Sequence, residues 1–517
     1  MLLSNNLRAY KEQLKQSLVE VLVMLSCAIL LVSLGAMFLF VGGQGVRYFL
    51  PMSIYQVSTY NPNLPPIVEY RLSHQSAERL AESIEQKISI QYGDRSQQKP
   101  QFIVSEASHL YLLETRNGKA YVGEFVKLVS DEESLLDLTE LVNVQSLVQT
   151  LEVNLKDIQS QKLQALHREI ESLTRKQVDK TTPVFKRKLA EFERWQSYAN
   201  DINDQIQSHR IHLELANNEQ LSIAVSDIQS LYQPNQLTWI ESTVFMFKKL
   251  ATFLSDSPKQ GATTGGVFPA IFGTLLMVII MAVLVTPFGA VAAIYLNEYA
   301  PKNRITSMIR ISVSNMAAVP SVVYGVFGLG FFVYGLGGSL DSLLYSDRLP
   351  SPTFGAPGLL WASLTMGILT LPVVIVSTEE GLRRVPKNQR AGALALGATK
   401  YETIKSVVLP MASPGILTGV ILAIARAAGE VAPLILVGAV KFAPTLPIDG
   451  EFPFMHLERQ FMHLGVFIYD GAFHNQTESQ VSSLMFASCM LLLFIVLLLN
   501  ISAIILRNSL RKKYERL

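Results

Sequence analysis

Residues 391–438 read AGALALGATKYETIKSVVLPMASPGILTGVILAIARAAGEVAPLILVG, and this stretch decides how the chain folds. Its first half is a short small-residue helix hinging on Gly397. It runs through Val407, Leu409 and Pro410 into an apolar span carrying Arg426 and Glu430. Ionisable residues inside a membrane span are costly and mark functional positions. At a spacing of four they share a helix face and can pair, so neither is a lone buried charge. The helix before the span is polar enough to face water. The two halves together read as a cytoplasmic docking loop attached to a transmembrane pathway.

Composition bounds the rest. Of 517 residues, 49% are hydrophobic, too many for an ordinary soluble protein, while 17% are charged, too many for a protein made only of spans. A membrane domain plus a sizeable soluble domain is the expected outcome. The formal net charge of +2 and the lack of a large basic block give no reason to expect nucleic acid as a partner. Cys27 and Cys489 both lie in apolar runs, where a free thiol behaves as a small hydrophobe, so neither a disulfide framework nor a metal site is expected.

Six runs are long enough to cross a bilayer, which takes about 20 residues: roughly 21–42, 267–295, 311–336, 358–378, 413–440 and 483–506. The first exceeds the length of a signal-peptide core, so it reads as an anchor. Lys and Arg set the orientation. Arg8, Lys11 and Lys15 precede the first span, and Lys302, Arg304 and Arg310 lie between spans two and three. Arg383, Arg384, Lys387, Arg390, Lys400 and Lys405 fill the loop before span five, and Arg507, Arg511, Lys512, Lys513 and Arg516 follow span six. Placing all four segments inside puts residues 1–20 and the basic tail 507–517 in the cytoplasm. The insert 43–266 then falls outside the inner membrane, as do 337–357 and 441–482.

That insert has two parts. HLYLLET and KAYVGEFVKLV flank Arg116-Asn117-Gly118, a hairpin signal. From about 131 to 220 the period becomes helical. Leu147, Leu151, Leu155, Ile158, Leu163, Leu166, Ile170 and Leu173 mark one arm; Thr181-Thr182-Pro183 breaks it; Leu189, Phe192, Trp195, Ile202, Ile206 and Leu213 mark a return. Arms of about 40 residues give a rod of roughly 60 Å. It is either a partner-docking arm or a self-packed spacer. The expected fold is therefore mainly α: a polytopic membrane protein with six transmembrane helices and a large extracytoplasmic insert, a small α/β part plus a long antiparallel helical hairpin.

No catalytic constellation is present. Gly392 to Lys400 lacks the Gly-Lys-Ser/Thr ending of a phosphate-cradling loop, and His456 and His463 near Glu458 do not make a convincing metal site. The chain reads as a non-catalytic transport subunit.

The docking segment resembles the cytoplasmic motif of ABC importer permeases: Glu-Ala-Ala, three residues, Gly, nine residues, Ile-x-Leu-Pro. Ala393 and Gly397 match it, and Val407-x-Leu409-Pro410 falls at the same spacing. Ala391 stands where Glu is usual and Gly392 where Ala is usual. GGVFPAIFGTLLMV at 265–278, AAIYLNEYAP at 292–301, VPSVVYGVFGLG at 319–330 and IARAAGEVAPLILVG at 424–438 further resemble the PstA-type permeases of phosphate ABC importers. The resemblance covers about 260–510 and, weakly, the first span; it says nothing of the insert.

It implies a permease domain at 267–506 whose coupling loop, 379–412, seats on separate ATPase subunits. Those subunits would bind ATP and Mg, leaving no cofactor in this chain. The implied partners are a sister permease in a heterodimer, two ATPase subunits, a periplasmic phosphate-binding protein and membrane lipid. Arg426 would line the translocation path, its planar fork suited to phosphate, with Glu430 positioning it; alternatively the pair ties this helix to a span of the partner. Pro287, Pro320 and Pro372 would be hinges of alternating access or plain packing kinks. Gly325, Gly328, Gly330, Gly335, Gly337 and Gly338 would allow close contact with the partner permease or mark the end of span three. Glu379, Glu380, Arg383 and Arg384 read as a solvated helix face, with contact to the ATPase as the alternative for Arg384. Two other readings stay open: a permease for another oxyanion such as sulfate or molybdate, and a transport-coupled sensor using the external arm.

Overall fold

Helices that are apolar all round must be covered by other helices or by lipid, and six such helices organise the larger part of the chain. The computed structural model describes every residue except 1, 52, 61–67, 72–100, 117–118, 131–133, 137, 176–178, 180–181, 216–218, 259–265, 347–348, 451, 475–478 and 515–517. Two units result: Met1–Phe49 with Lys249–Leu517, and Leu50–Lys248.

In the first unit the spans are Glu20–Arg47, Phe268–Tyr299, Ser321–Leu344, Leu359–Arg383, Lys400–Gly429 and Ser483–Ser509. Span four is the axis: 67% of its most apolar window is buried, against 0% in spans one and six. It packs between spans two and five, with Met277, Met281, Val285, Met366, Leu369, Val374, Ala423 and Ala427 at the centre. Small residues allow this approach. A Cβ on Gly415 would come within 2.5 Å of the Gly381 Cα, and one on Gly419 within 2.8 Å of the Ser377 Cβ. Lipid offers no hydrophobic drive between spans, so close backbone packing supplies the attraction. Span one runs along span six, with Phe40 edge-on to Phe486 at 5.7 Å.

Spans three and five depart from the expected ranges. The run expected as one helix over 311–336 is divided. Arg304–Met316 forms its own helix, capped by Asn303, whose Oδ1 accepts from the Thr306 N–H at 2.9 Å. The chain turns at 317–319, and Ser321–Phe327 begins behind Pro320. Proline disfavours helix in the residue before it and has no N–H to give the preceding turn. Pro320 is therefore the cap of span three and not a kink inside it. Span five begins early, at Lys400, behind a capping box of Thr399 and Glu402. It stops at Gly429 rather than running on to 440. A separate short helix follows at Ala432–Val437, and Gly438 turns the chain at φ +145°.

The second unit holds two sheets and a helical hairpin. One sheet contains β1 (Tyr55–Tyr60), β2 (Val68–Arg71) and β3 (Gln101–Glu106), in the order β2-β1-β3. The other is built on β4 (Tyr111–Thr115) and β5 (Ala120–Ser130), paired antiparallel across the expected turn; residues 117–118 themselves lie outside the described residues. The outgoing arm of the hairpin comprises Leu141–Asp157, a wider-wound stretch Ile158–Leu163 and Gln164–Arg175. Pro183–Ser208 returns, with Lys188 Nζ on Glu169 at 2.8 Å between the arms. The return ends sooner than expected. Leu213, expected in the helix, lies on a strand, Arg210–Leu215, that pairs with β5. Its alternation buries Ile211 and Leu213 together, which a strand does and a helix does not.

Candidate functional site: the broken fifth span and the coupling segment

Arg426 lies in the last turn of the Leu409–Gly429 helix, where the negative end of the helix dipole favours a cation. Glu430 is the residue after that helix, with extended backbone at φ −82°, ψ 134°. The two do not share a helix face. They still meet, because the break turns the carboxylate back: Arg426 Nε stands 3.5 Å from Glu430 Oε1, both side chains partly buried. This is an ion pair without hydrogen-bond geometry, and Arg426 Nε makes no hydrogen bond among the described residues. The guanidinium is held loosely and keeps donors to offer. Gly325 lets the helix of span three close on Pro433 just past the break; a Cβ there would come within 2.7 Å of the Pro433 Cα. Tyr324 donates its hydroxyl hydrogen to the Met316 carbonyl at 2.7 Å, spanning the turn before span three.

At the other end of span five, roughly 40 Å away at 1.5 Å per helical residue, lies the coupling segment. Lys387–Ala395 is a helix, and Ala391 and Gly392 are exposed on it while Ala393 is half-buried. Gly397 closes it at φ +87°, a conformation that favours glycine. The Gly397 N–H reaches the Leu394 carbonyl and the Ala398 N–H the Ala393 carbonyl, the paired bonds of a Schellman cap. Leu394 and Leu396 stand exposed beside it, 51% and 91%. Val407, Leu409 and Pro410 lie half-buried at the start of span five. Val408, which motif spacing does not single out, is the buried anchor, packed with Leu296, Leu382, Val385 and Ala412.

Ion pairs tie this segment to the spans. Arg390 binds Glu298, at the end of span two, at 2.9 Å, and donates to the Leu382 carbonyl at 2.7 Å. Glu379 is not on a solvated face. It is buried, takes Arg310 Nε at 3.2 Å on one oxygen and Arg383 at 3.3 Å on the other, and so joins span four to the helix Arg304–Met316. Glu380 and Arg384 are exposed. Carboxylates at the ends of otherwise apolar runs were the available signal for Glu298 and Glu379.

The other singled-out residues separate. Pro287 and Pro372 sit inside the helices of spans two and four, Pro287 exposed and Pro372 buried, and Pro414 is a third within span five. Gly325, Gly328 and Gly337 are filled from within the chain, by Pro433, Thr365 and Phe354, whereas Gly330 and Gly338 face open space. His456 Nδ1 meets Glu458 at 3.1 Å and Nε2 meets Asp449 at 3.0 Å, so both nitrogens are engaged in bracing the loop before span six. His463 is fully buried, and desolvation pushes its pKa down to about 3. Lys441 pairs with Asp470, a contact that sequence reading missed.

Residues 285–516 match the family described as "Binding-protein-dependent transport system inner membrane component". The probable ABC transporter permease protein YqgI of Bacillus subtilis is 31% identical over 39% of this chain and 63% of its own. PstA, the phosphate transport system permease protein of Mycobacterium leprae, is 38% identical over 34% of this chain and 52% of its own. The protein of the same name from Yersinia pestis is 32% identical over 49% of this chain and 76% of its own. The chain thus spans between about half and three quarters of the length of these relatives. The inward-facing MetNI methionine ABC transporter aligns over 47% of this chain and 94% of its own at 16% identity and a TM-score of 0.34. With six apolar spans and this breadth of identity, the chain belongs to the inner-membrane components of binding-protein-dependent transport systems, on their PstA-type branch.

Proposed function

We propose that this chain is a permease subunit of an ATP-driven importer that carries inorganic phosphate into the cytoplasm. The observation that carries the reading is the loose Arg426–Glu430 pair at the break in span five. A charged side chain at membrane depth needs a partner, and a partner at 3.5 Å without a hydrogen bond leaves the guanidinium fork open to an oxyanion. Arg426 lines the path and Glu430 positions it, preventing the anion from being trapped too tightly. The PstA relatives favour phosphate over sulfate or molybdate as cargo.

Energy comes from two separate ATPase subunits, which hold ATP and Mg and dock on the 379–412 loop. The exposed Leu394 and Leu396 beside the glycine cap supply the seat, and Ala391, Gly392 and Ala393 permit close approach. Arg390–Glu298 passes movement of that helix to span two, and the continuous helix of span five reaches the charged pair. A sister permease completes the pathway, and a periplasmic phosphate-binding protein delivers the cargo. In this reading both termini are cytoplasmic, and the 43–266 insert lies outside the inner membrane.

The test is radiolabelled phosphate uptake into vesicles holding the complex and ATP. Arg426→Gln abolishes uptake while the complex assembles with its ATPase; normal uptake by that variant would sink the pathway role. A wild-type complex that carries sulfate in preference to phosphate would overturn the substrate.

A further inference from the structure

The geometry points to a second phosphate-group site, separate from the transport path, at the cytoplasmic end of the first unit. A cavity of about 680 Å³ opens there between the turn after span two, the end of span four and the start of the coupling helix. Lys302, Arg310, Arg383, Lys387 and Arg390 line it, together with Asn303, and no carboxylate does. The two acids that neutralise part of this charge, Glu298 and Glu379, stand behind the cations and outside the lining. Lys302 and Lys387 have no ion-pair partner among the described residues. Arg390 Nε is shut from solvent and makes no hydrogen bond among them.

Cations along a cytoplasmic rim are ordinary in membrane proteins, because they set topology. This group differs in being gathered around one concavity by four segments: the turn after span two, the Arg304–Met316 helix, the end of span four and the coupling helix. Its three guanidiniums offer planar forks that match a phosphate oxygen pair, and two lysines add point charges. The Asn303-capped end of the Arg304–Met316 helix also lines it, adding the positive end of a 13-residue dipole. The cavity is roomy for one bare phosphate and suits a hydrated oxyanion or the phosphate of a lipid headgroup.

A phosphate group seated here touches the coupling helix through Lys387 and Arg390 and the span ends through Lys302, Arg310 and Arg383. It therefore competes with Glu298 for Arg390, which ties the coupling helix to span two, and with Glu379 for Arg310 and Arg383 at the end of span four. Free phosphate at this place would make cytoplasmic phosphate a brake or a brace on coupling; a lipid phosphate would make membrane composition one.

The assembled complex in nanodiscs of phosphatidylcholine, titrated with radiolabelled phosphate, tests the site. A binding component that persists in Arg426→Gln and weakens at least tenfold in the double variant Lys302→Gln/Lys387→Gln is expected. Because the Arg426 variant reports the transport path alone, failure of the import reading and failure of this site separate. Repeating the titration with one-third phosphatidylglycerol identifies the source: suppressed phosphate binding marks the headgroup as occupant, and unchanged binding marks the free ion. The proposal is overturned if the double variant binds phosphate and responds to phosphatidylglycerol as the wild type does. It is equally overturned if binding appears only when the ATPase is stripped away, which would make the cavity an ATPase contact.

Discussion

Two charged groups in the membrane unit are built in opposite ways. Glu379 is buried, and each of its oxygens holds a different arginine. Arg426 faces a single carboxylate at 3.5 Å, and its Nε makes no hydrogen bond. Saturated carboxylates fix helices in place, whereas an under-coordinated guanidinium keeps donors free for a further partner. The closed group lies at the end of a span where cations from neighbouring segments gather. The open one sits at a helix break, where the backbone itself leaves regular structure.

The largest expected effect breaks the open group. Arg426→Gln lowers uptake at least a hundredfold while the thermal midpoint in detergent barely moves, because a pair at 3.5 Å without a hydrogen bond contributes little to stability. A collapsed midpoint would make the pair structural instead. Gly415→Val strikes the packing that both groups depend on. Its Cβ would fall 2.5 Å from the Gly381 Cα, so a loss of about 3 kcal/mol in stability is expected from overpacking. Measured stability equal to wild type would show that spans four and five can separate freely. Glu379→Gln breaks the closed group, and a cost of about 2 kcal/mol is expected after allowing for the exposure of Arg383, with transport by the surviving folded protein little changed.

His463, outside the six spans, sharpens the comparison with a buried group that stays neutral. Its folded pKa of about 3 lies below the unfolded value of 6.5, so between those limits the unfolded chain binds the extra proton. Stability is unaffected above about pH 6.5 and falls as pH drops through that window, by about 1.4 kcal/mol per unit at most. His463→Gln should flatten the acid limb of a thermal-stability profile; an unaltered limb would assign it to other groups. The smallest stability effects are at the coupling turn. Gly397→Val strains the φ +87° cap by about 1–2 kcal/mol and is expected to leave ATP hydrolysis running without uptake, whereas Gly450→Ala, with open space around it and outside the coupling loop, should change neither. Equal behaviour of the two variants would remove the cap from the mechanism.

Much of this architecture is written locally. Hydropathy over about 20 residues identified six spans because crossing a bilayer is a property of each segment alone. The switch from alternating to helical period located the hairpin for the same reason. Leu213 was misplaced because its apolar spacing fits a helix once neighbours are ignored; pairing with β5 made the choice. The break at Glu430 left a trace in Gly429 and Pro433, but apolar residues on both sides masked it. Glu379 looked solvated because its second cation, Arg310, comes from another helix.

That this chain enters a membrane, that a polar helix with a glycine turn precedes span five, and that an arginine and a glutamate travel with that span can all be read along the chain. Those are matters of composition and spacing. That the pair straddles a helix end, that Glu379 is saturated while Arg426 is not, and that five cations surround one cavity emerges only once the chain is folded. Each depends on which distant segments approach, and charge interactions depend on distance and burial more than on order along the chain.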